Sequence, residues 1–549
     1  MGKSIALSAE VDVDGVPSWQ SGTHPGLSDT LSQQKVVEER MHPGAHSPTA
    51  ITRVVIEELE RVLPAAMRQR LNMQSVLAEV GIHAERFLDA LSRIEGLYQM
   101  RFHSDWLRNI RTCNDLVTCI AEHMFDKVDR ANDRRQPLRP ETAAPRLPQP
   151  QPNDSDPFPE CRALEDRLEK LKVAGLEDPF QLANEWVQGR VSKVGGHEVI
   201  NFTSFDYLGL AGHPDVKQAA KDAIDRFGCS ASASRMVGGN NTTLDELDKA
   251  LADFIGTERA VVFPCGYGTN ASVFNHLFGE RDLILYDELA HNSIIQGSNA
   301  SKAGKRSFRH NDYTQLDGLL RDMRSQYRRV VVAIEGVYSM DGDYPDLPKF
   351  IEIKKRHDAT LYVDEAHSVG TMGPEGRGIC QFFGVDPADG DLWMGTISKA
   401  LGAGGGYLAG HDRLIRYLSY TTPSFVFSTA SSPPNAAAAL EAVRVIQREP
   451  WRVTRLRERS ELFLKLAIDA GFDTGNSGNT PVIPVIVGSS SRAIHVSQML
   501  LQRGINARPI LYPAVRETAA RVRFFLTCEH SEDQIVQTVE RLAEVMAAT

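Results

Sequence analysis

The pattern of apolar and polar positions divides the 549-residue chain into two unlike parts. From Ala50 to about Phe125, apolar residues recur at helical spacing, as in ITRVVIEELERVL, which predicts a small all-α bundle. Beyond about Cys161, short apolar runs alternate with amphipathic stretches. The runs are AVVF, DLILY, RVVVAIEG, TLYVDE, DLWMGT and GGYLAG. This alternation predicts an α/β domain with a mainly parallel sheet covered by helices.

Segments without periodicity suggest the domain boundaries. The first 48 residues are polar and rich in Ser, Gly and His, so we expect a disordered lead. Repeated prolines in DRRQPLRPETAAPRLPQPQPNDSDPFPE predict a semi-extended linker. Near Glu441, further helical segments and the strand PVIPVIV indicate a smaller C-terminal subdomain. The predicted parts are residues 1–48, 49–126, 127–160 and 161–549, with the subdomain at 441–549.

Composition and charge narrow the function to small-molecule chemistry. The formal net charge of -10 is mild for this length and the basic residues are scattered, which argues against a nucleic-acid surface. We see no secretory signal, no apolar run long enough to span a membrane and no metal-ligand pattern. Seven cysteines without CxxC pairs indicate reduced thiols, so we expect a cytoplasmic protein.

The segment TLYVDEAHSVG has two possible interpretations. An apolar run that ends in Asp-Glu-Ala-His could be the magnesium strand of a DEAH-type helicase. That function requires a G-x-x-x-x-G-K-[ST] loop, and Gly304-Lys305-Arg306 lacks both the first glycine and the hydroxyl. Asp364 instead lies at the carboxyl end of a predicted strand, where open α/β sheets bind their ligands.

Four further segments indicate which ligand binds there. Lys399 follows the next strand in GTISKALGAGGGYLAG, either as a surface lysine or as one that forms a Schiff base. PCGYGTN follows a strand and opens a helix, so the amides of Gly266 and Tyr267 could bind a phosphate. His291 supplies a flat ring and Ser339 follows a third strand. One cofactor needs all of these partners, namely pyridoxal phosphate.

The ordered series HNSIIQGSNASKA, HND, EGVYSMDGD, DEAHSVGTMGPEGRG, GTISKALGAGGGYLAG and FSTASSPP resembles the α-oxoamine synthase family from about Asp178 to the C-terminus. This family includes serine palmitoyltransferase and 8-amino-7-oxononanoate synthase. The resemblance implies fold type I of the pyridoxal-phosphate enzymes and a homodimer with its active site at the subunit interface. It also implies decarboxylative condensation of an amino acid with an acyl thioester of CoA or of an acyl carrier protein.

The resemblance also implies residue roles. Lys399 would form the Schiff base with the cofactor and then move the α-proton, while Asp364 would pair with the pyridine nitrogen and His291 would stack on the ring. At the phenolic oxygen, the implied cofactor contacts are His367 and Ser339. At the phosphate, they are Cys265, Gly266, Tyr267 and Thr396 of the same subunit, joined by Thr429 from the other subunit. The implied substrate contacts are Arg523 at the amino-acid carboxylate, with Asn201 and Tyr207 in the segment NFTSFDYLGL.

Three positions depart from the family pattern. In GCSASASR, Ser230 and Ala233 replace two glycines, and Leu244 stands where the family has a histidine. The sequence favours serine as the amino acid, with glycine or alanine as alternatives. A non-catalytic partner subunit is a third possibility, against which the intact catalytic set argues.

The helical N-terminal region resembles an acyl carrier protein, although short amphipathic helices also match one another by chance. Carrier proteins attach their phosphopantetheine arm to the serine of a G-x-D-S-L turn, whereas this chain reads Gly81-Ile82-His83-Ala84-Glu85. Ala84 has no hydroxyl to modify. We therefore expect a degenerate carrier domain that docks a separate acyl carrier protein or contributes to dimer contacts.

Overall fold

The computed structural model describes residues 48–63, isolated positions between 68 and 97, and residues 110–121, 158–173 and 175–549. The chain divides into two compact units, residues 1–83 with 105–150 and residues 84–104 with 151–549. The predicted lead before residue 48 and most of the predicted linker lie outside the described residues. The same is true of Ala84.

In the first unit, helix α1 (Pro48–Arg61) is amphipathic as its spacing predicts. Ile51, Val55 and Leu59 lie on one face and are fully buried. A second helical stretch covers residues 113–121 and buries Leu116 and Ile120. Its likeness to a carrier protein stays a prediction.

The second unit is built on a seven-stranded sheet. Its strands are β4 (Arg259–Phe263), β5 (Asp282–Asp287), β6 (Gly304–Phe308), β7 (Arg329–Glu335), β8 (Thr360–Asp364), β9 (Leu392–Thr396) and β10 (Gly406–Gly410). They lie in the order β4-β10-β9-β8-β7-β5-β6. Strand β10 is antiparallel to both neighbours and the other pairs are parallel, which confirms the predicted mainly parallel sheet.

Both faces of this sheet are covered, which explains its continuous apolar runs. Along β7, Val330, Val332 and Ile334 belong to one hydrophobic cluster, whereas the intervening Val331 and Ala333 belong to a second. Successive side chains point to opposite faces of a strand, so a run that is apolar at every position must be buried on both sides.

Helices supply both layers. They are α2 (Pro159–Val173), α3 (Pro214–Phe227), α4 (Thr242–Ile255), α5 (Gly266–Leu277), α6 (Asn292–Ala300), α7 (Tyr313–Met323), α8 (Leu347–Arg356), α9 (Ile379–Phe383), α10 (Asp412–Thr421), α11 (Pro423–Val426), α12 (Pro433–Arg448), α13 (Trp451–Asp469), α14 (Ser490–Gln502) and α15 (Glu532–Ala548). Among the described residues, none of these helices is long and apolar enough to cross a bilayer.

Two small sheets accompany the C-terminal region. Strands β11 (Val482–Ile486), β14 (Arg521–Phe525) and β13 (Arg508–Ile510) form an antiparallel sheet. Strands β1 (Asn184–Gln188), β2 (Val191–Val194) and β3 (His197–Asn201) form a ribbon to which β12 (Ile505–Asn506) adds in parallel. The sequence pattern does not predict this last pairing, because a two-residue strand carries no periodicity.

Candidate active site

Lys399 and Asp364 lie at the same edge of the large sheet. Strands β8 and β9 are parallel neighbours, so their carboxyl ends meet, with Asp364 at one end and Lys399 three residues beyond the other. Burial lowers the pKa of Lys399 to about 8, although the negative charge of Asp364 opposes that shift. A substantial fraction of the amine is therefore neutral near pH 7 to 8.

Hydrogen bonds fix the orientation of Asp364, which is 3% exposed. Its Oδ2 accepts from Asn270 Nδ2 at 2.7 Å, and its Oδ1 accepts from the backbone N–H of Ala366 at 2.9 Å. The Tyr362 hydroxyl in turn donates to Asn270 Oδ1 at 2.6 Å. The sequence analysis missed Asn270, whose only signal is its place in the first turns of the helix that PCGYGTN opens.

Two histidines lie close to this pair. His291 precedes α6, and its Nδ1 is 2.6 Å from Ser293 Oγ, which also accepts from Asn270. Burial lowers the pKa of His291 despite the charge of Asp364. His367 is 4% exposed, and burial followed by the charge of Lys399 lowers its pKa well below the ordinary value. Both imidazoles are therefore neutral near pH 7.

Tyr207 belongs to the same cluster. Its hydroxyl lies 2.7 Å from His367 Nδ1, and burial raises the pKa of this phenol. The preceding Phe205 places its ring centroid 5.7 Å from Lys399 Nζ. The segment NFTSFDYLGL therefore contributes Tyr207 to the site, and it also contributes Phe205, which sequence reasoning did not select.

The N-terminus of α5 forms a cradle of backbone amides beside β9. A Cβ on Gly266 would lie 3.0 Å from Thr396 Oγ1, so a side chain at this position would require Thr396 to shift. The Cys265 sulfur accepts from the N–H of Gly268 at 3.2 Å. Thr396 Oγ1 lies 2.7 Å from Ser398 Oγ, which adds a hydroxyl that the sequence analysis did not name. This end of the site suits a phosphate.

Tyr267 connects the N-terminus of α5 with the segment that carries His291. Its hydroxyl donates to Asn292 Oδ1 at 3.0 Å, and its ring lies edge-on to that of His291 with centroids 6.2 Å apart. The predicted phosphate loop and the predicted stacking histidine are thus brought together.

Arg523 reaches the site from β14. Its Nη1 donates to the carbonyl oxygen of Ser339 at 2.5 Å, and its guanidinium lies over the Phe525 ring at 4.4 Å. Burial lowers the pKa of Arg523 to about 10. Its charge in turn lowers the pKa of Lys399 and that of His367, which places the guanidinium within electrostatic reach of both.

Two predicted residues are not brought into this cluster. Asn201 is 2% exposed, and its Oδ1 accepts from the N–H and the hydroxyl of Thr203, at 3.1 and 2.7 Å, so its amide holds the turn after β3. Thr429 is exposed on the surface of this chain, three residues beyond the end of α11. Its contact with a cofactor of the other subunit stays a prediction.

Glu335 is the main residue that the sequence analysis missed. It ends β7 directly opposite Asp364, and it is 3% exposed. One of its oxygens accepts the backbone N–H of His291, whereas Oε1 has no hydrogen-bond partner in the described structure. Burial, and then the charge of Asp364, raise the pKa of Glu335 well above its ordinary value. In the sequence, the only indication of a special role for Glu335 is that it ends the otherwise apolar run RVVVAIE.

Comparison with known proteins identifies the family of this chain. A family model described as aminotransferase class I and II matches residues 197–542. The 8-amino-7-oxononanoate synthase of Symbiobacterium thermophilum is 40% identical over 382 residues, which are 70% of this chain and 97% of that protein. The chain belongs to the α-oxoamine synthase family.

Solved structures agree with this family membership. Serine palmitoyltransferase of Sphingomonas wittichii superposes with a TM-score of 0.69 at 30% identity, and the match covers 72% of this chain and 99% of that one. The 8-amino-7-oxononanoate synthase of Francisella tularensis superposes with a TM-score of 0.55 at 26% identity, covering 63% and 97%. The predicted fold type I architecture of the synthase is thereby confirmed.

The synthase uses pyridoxal phosphate, and the residues of the site fit this cofactor. Lys399 offers an amine that is partly neutral, as attack on an aldehyde requires. Asp364 offers a fixed carboxylate for the pyridine nitrogen, and the amides at the start of α5 face the space beside Thr396 that a phosphate needs. When bound, the cofactor supplies a ring that withdraws electrons from the amino-acid α-carbon.

The positions that depart from the family pattern lie outside this cluster of side chains. The Ala233 carbonyl accepts from the N–H of Ala430 at 3.0 Å, and Ser230 Oγ accepts from the N–H of Ser232 at 3.1 Å. Leu244 is fully buried at the start of α4, where Asn241 caps the helix. The departures therefore leave the contacts among Lys399, Asp364 and the histidines unchanged.

Proposed function

We propose that this synthase condenses a small α-amino acid with an acyl thioester, releasing carbon dioxide and a free thiol and giving an α-amino ketone. The observation that carries this proposal is the grouping of Lys399, Asp364 and Arg523. A partly neutral amine lies beside a fixed carboxylate, and a buried guanidinium lies within electrostatic reach of the amine.

Each residue has a distinct task in this reaction. Arg523 binds the amino-acid carboxylate, because a planar guanidinium matches a carboxylate in shape and charge. Lys399 removes the α-proton, since its lowered pKa leaves the amine free to act as a base. Asp364 favours the protonated pyridine nitrogen, and His291 and His367 remain uncharged beside it.

The relatives differ in the amino acid that their names imply as substrate. The product named 8-amino-7-oxononanoate carries its amine on the carbon next to a terminal methyl, which corresponds to the carbon skeleton of alanine. The solved relative of Sphingomonas wittichii is named for serine. Serine stays our prediction, and alanine is the alternative that the sequence relatives favour.

We propose that the synthase is a homodimer. Val237 is 81% exposed and Phe427 is 84% exposed. They lie on adjacent segments that the hydrogen bond between Ala233 and Ala430 joins. Large exposed apolar side chains on adjacent segments support a protein contact at this place. Thr429 lies within the same exposed segment, as a contact with the neighbouring active site requires.

The proposal also covers the acyl donor and the cellular compartment of the synthase. The donor is an acyl thioester of CoA or of a separate acyl carrier protein, which the N-terminal domain would dock at raised effective concentration through its linker. The buried Cys113, Cys380 and Cys528 are free thiols, which supports a reducing compartment such as the cytoplasm.

A substrate panel tests the proposed function. The purified protein would be supplied with pyridoxal phosphate, then with serine, alanine or glycine, and with acyl-CoA or acyl carrier protein. Carbon dioxide release and product mass identify the reacting pair. Visible absorbance of the bound cofactor without turnover by any pair would support the non-catalytic alternative.

A further inference from the structure

A partly buried histidine joins two carboxylates next to the active site. His310 Nδ1 lies 2.9 Å from Asp287 Oδ1, at the end of β5, and His310 Nε2 lies 2.7 Å from Asp343 Oδ2, in the segment that follows β7. Asp287 is fully buried and Asp343 is 7% exposed. Ionised carboxylates only accept hydrogen bonds, so a histidine that serves two of them carries a proton on both nitrogens.

The charges around His310 agree with that assignment. Burial lowers its pKa, but hydrogen bonds to Asp287 and Asp343 outweigh burial and raise the pKa to about 10. Three further titratable groups lie near this cluster. They are Tyr338, whose hydroxyl bonds to Asp287, Glu335, whose pKa the charge of Asp287 helps to raise, and Glu288, whose Oε1 accepts the backbone N–H of His310 at 3.1 Å. The raised pKa therefore favours the imidazolium at neutral pH.

The next residue and an aromatic ring hold the bridge in place. The N–H of Asn311 donates to Asp287 Oδ2 at 2.8 Å, and its Nδ2 donates to Asp343 Oδ2 at 3.2 Å. Asn311 has a φ of 54°, a left-handed conformation that asparagine tolerates better than most residues. The Tyr338 ring packs edge-on against His310 with centroids 4.4 Å apart.

The bridge fixes one end of the segment Gly336–Asp343, called here the carboxylate-site loop. Within it, the N–H of Tyr338 donates to the Asp343 carbonyl at 2.9 Å, and the N–H of Gly342 donates to the Tyr338 carbonyl at 2.8 Å. The bridge thus anchors a closed turn. The tip of this turn carries Ser339 and Met340.

The tip of the loop sets the position of Arg523. The hydrogen bonds that the guanidinium makes within the described structure go to the Ser339 carbonyl and to the Met340 sulfur, while its Nε has no partner. The neighbouring Arg521 donates to the Met340 carbonyl at 2.8 Å and to Asp341 at 2.6 Å. The carboxylate-site loop therefore supports the Arg523 guanidinium and fixes its position.

We propose that His310 is a positioning residue for the amino-acid carboxylate, which acts by bridging Asp287 and Asp343 and thereby holding the carboxylate-site loop under Arg523. This inference rests on the proposed role of Arg523 as the group that binds the amino acid. The inference assigns a function to the segment His310-Asn311-Asp312, in which no catalytic or cofactor-binding residue was predicted.

The variant His310→Asn tests the proposal, because an asparagine amide cannot donate to both carboxylates in this geometry. We expect the Kd of the amino acid, titrated by the visible spectrum of the holoenzyme, to rise about 10- to 100-fold. The kcat and the KM for the acyl thioester should change much less. Backbone amides of residues 336–343 should exchange faster with deuterium, with or without cofactor.

A matched control is His357→Asn. His357 forms a similar pair with Asp317 at 2.8 Å and has a comparably buried side chain, but it lies at the end of α8. We expect this variant to leave the amino-acid Kd unchanged. Asp343→Asn is a milder second variant that keeps the bond to Asp287, and we expect a rise in Kd of roughly 3- to 10-fold.

A double-mutant cycle separates positioning from general damage. If His310 acts through Arg523, then His310→Asn adds no further loss of amino-acid affinity in the Arg523→Ala background. Additive losses would overturn the proposal, as would an unchanged Kd in both His310→Asn and Asp343→Asn. If the wild-type holoenzyme itself binds no amino acid, the proposed function fails, and the exchange rates of residues 336–343 still report whether the bridge holds the loop.

Discussion

Glu335 and Asp364 face each other in register at the carboxyl ends of neighbouring parallel strands. Two carboxyl groups this close in a buried place are not both ionised without a large cost. Asp364 is held by two hydrogen-bond donors, whereas Glu335 Oε1 has no partner in the described structure. Burial and the charge of Asp364 therefore favour the neutral form of Glu335.

This preference predicts how stability varies with pH. The folded-state pKa of Glu335 is raised well above 4.5, so its favourable contribution is complete below the unfolded pKa and is lost as pH rises through the folded pKa. In Glu335→Gln the side chain is always neutral. We expect the free energy of unfolding of the variant, relative to wild type, to increase by up to about 1.4 kcal/mol per pH unit above pH 4.5.

Unfolding by urea at several pH values measures this difference. The control is Glu280→Gln, since Glu280 is exposed and should give a constant difference. A constant difference for Glu335→Gln as well would mean that Glu335 is ionised in the folded protein.

Lys399→Ala should abolish turnover and the visible absorbance of the bound cofactor, because the described site offers no second amine at this place. Absorption spectra and a carbon dioxide release assay measure both effects. Lys305→Ala is the control, since the Lys305 amine donates to the Ser298 carbonyl at 3.3 Å on the far edge of the sheet. Turnover that survives in Lys399→Ala would remove this residue from the mechanism.

Asp364→Asn should leave the cofactor bound, since the contacts expected at its phosphate end remain, yet slow removal of the α-proton by roughly 100-fold or more. A neutral amide no longer favours the protonated pyridine nitrogen. Exchange of the α-proton with solvent deuterium, followed by NMR, measures that step. Asn270→Ala removes the 2.7 Å hydrogen bond to Asp364, together with the bonds of Asn270 to Ser293 and Tyr362, but keeps the carboxylate, so it should have a smaller effect in the same direction. A normal exchange rate in Asp364→Asn would refute the assigned role.

Arg523→Ala should weaken amino-acid binding by roughly 2 to 4 kcal/mol, comparable with the loss of a buried charged hydrogen bond. A spectral titration with the amino acid gives the Kd. Arg508 lies directly opposite on the adjacent strand and donates to the Pro179 carbonyl, so Arg508→Ala is a matched control with no expected effect on Kd. Equal titrations for the wild type and Arg523→Ala would exclude the carboxylate role.

The N-terminal region should not accept a phosphopantetheine arm, because Ala84 stands where the predicted carrier turn would have its serine. Incubation with a broad-specificity phosphopantetheinyl transferase and CoA, followed by intact mass, tests this directly. An adduct within residues 50–126 would show that another serine is used.

Deletion of residues 1–150 tests the proposed docking role. Cofactor binding should persist, and turnover should fall more with carrier-bound than with CoA-bound acyl substrates. Equal losses with both donors would argue against docking.

The parts of the site that the sequence predicted are those that follow from strand ends. Asp364 and Lys399 follow neighbouring apolar runs, and parallel strands bring such positions together without any knowledge of the register. Glu335, Asn270 and the partners of His310 depend on which strands are adjacent and on how far each one extends. A single sequence does not contain that information in a local pattern.

Asn201 has a local contact that its sequence pattern did not predict. Its place in NFTSFDYLGL suggested a substrate contact, whereas its amide is engaged by Thr203 two residues later. Asparagine side chains often bond to backbone a short distance along the chain, and such local bonds compete with functional roles. Tyr207, from the same segment, reaches His367 because its ring is long enough to span the gap between segments.

The pairing of β3 with β12 has a consequence for synthesis on the ribosome. Ile505 and Asn506 leave the ribosome about 300 residues after Ile200 and Asn201, which at roughly 5–20 residues per second is a delay of about 15–60 s. During that time the outer edge of β3 has unpaired N–H and C=O groups, a site at which another strand can add wrongly. The nascent ribbon should therefore depend on protection by a chaperone until the last fifty residues of the protein are being made.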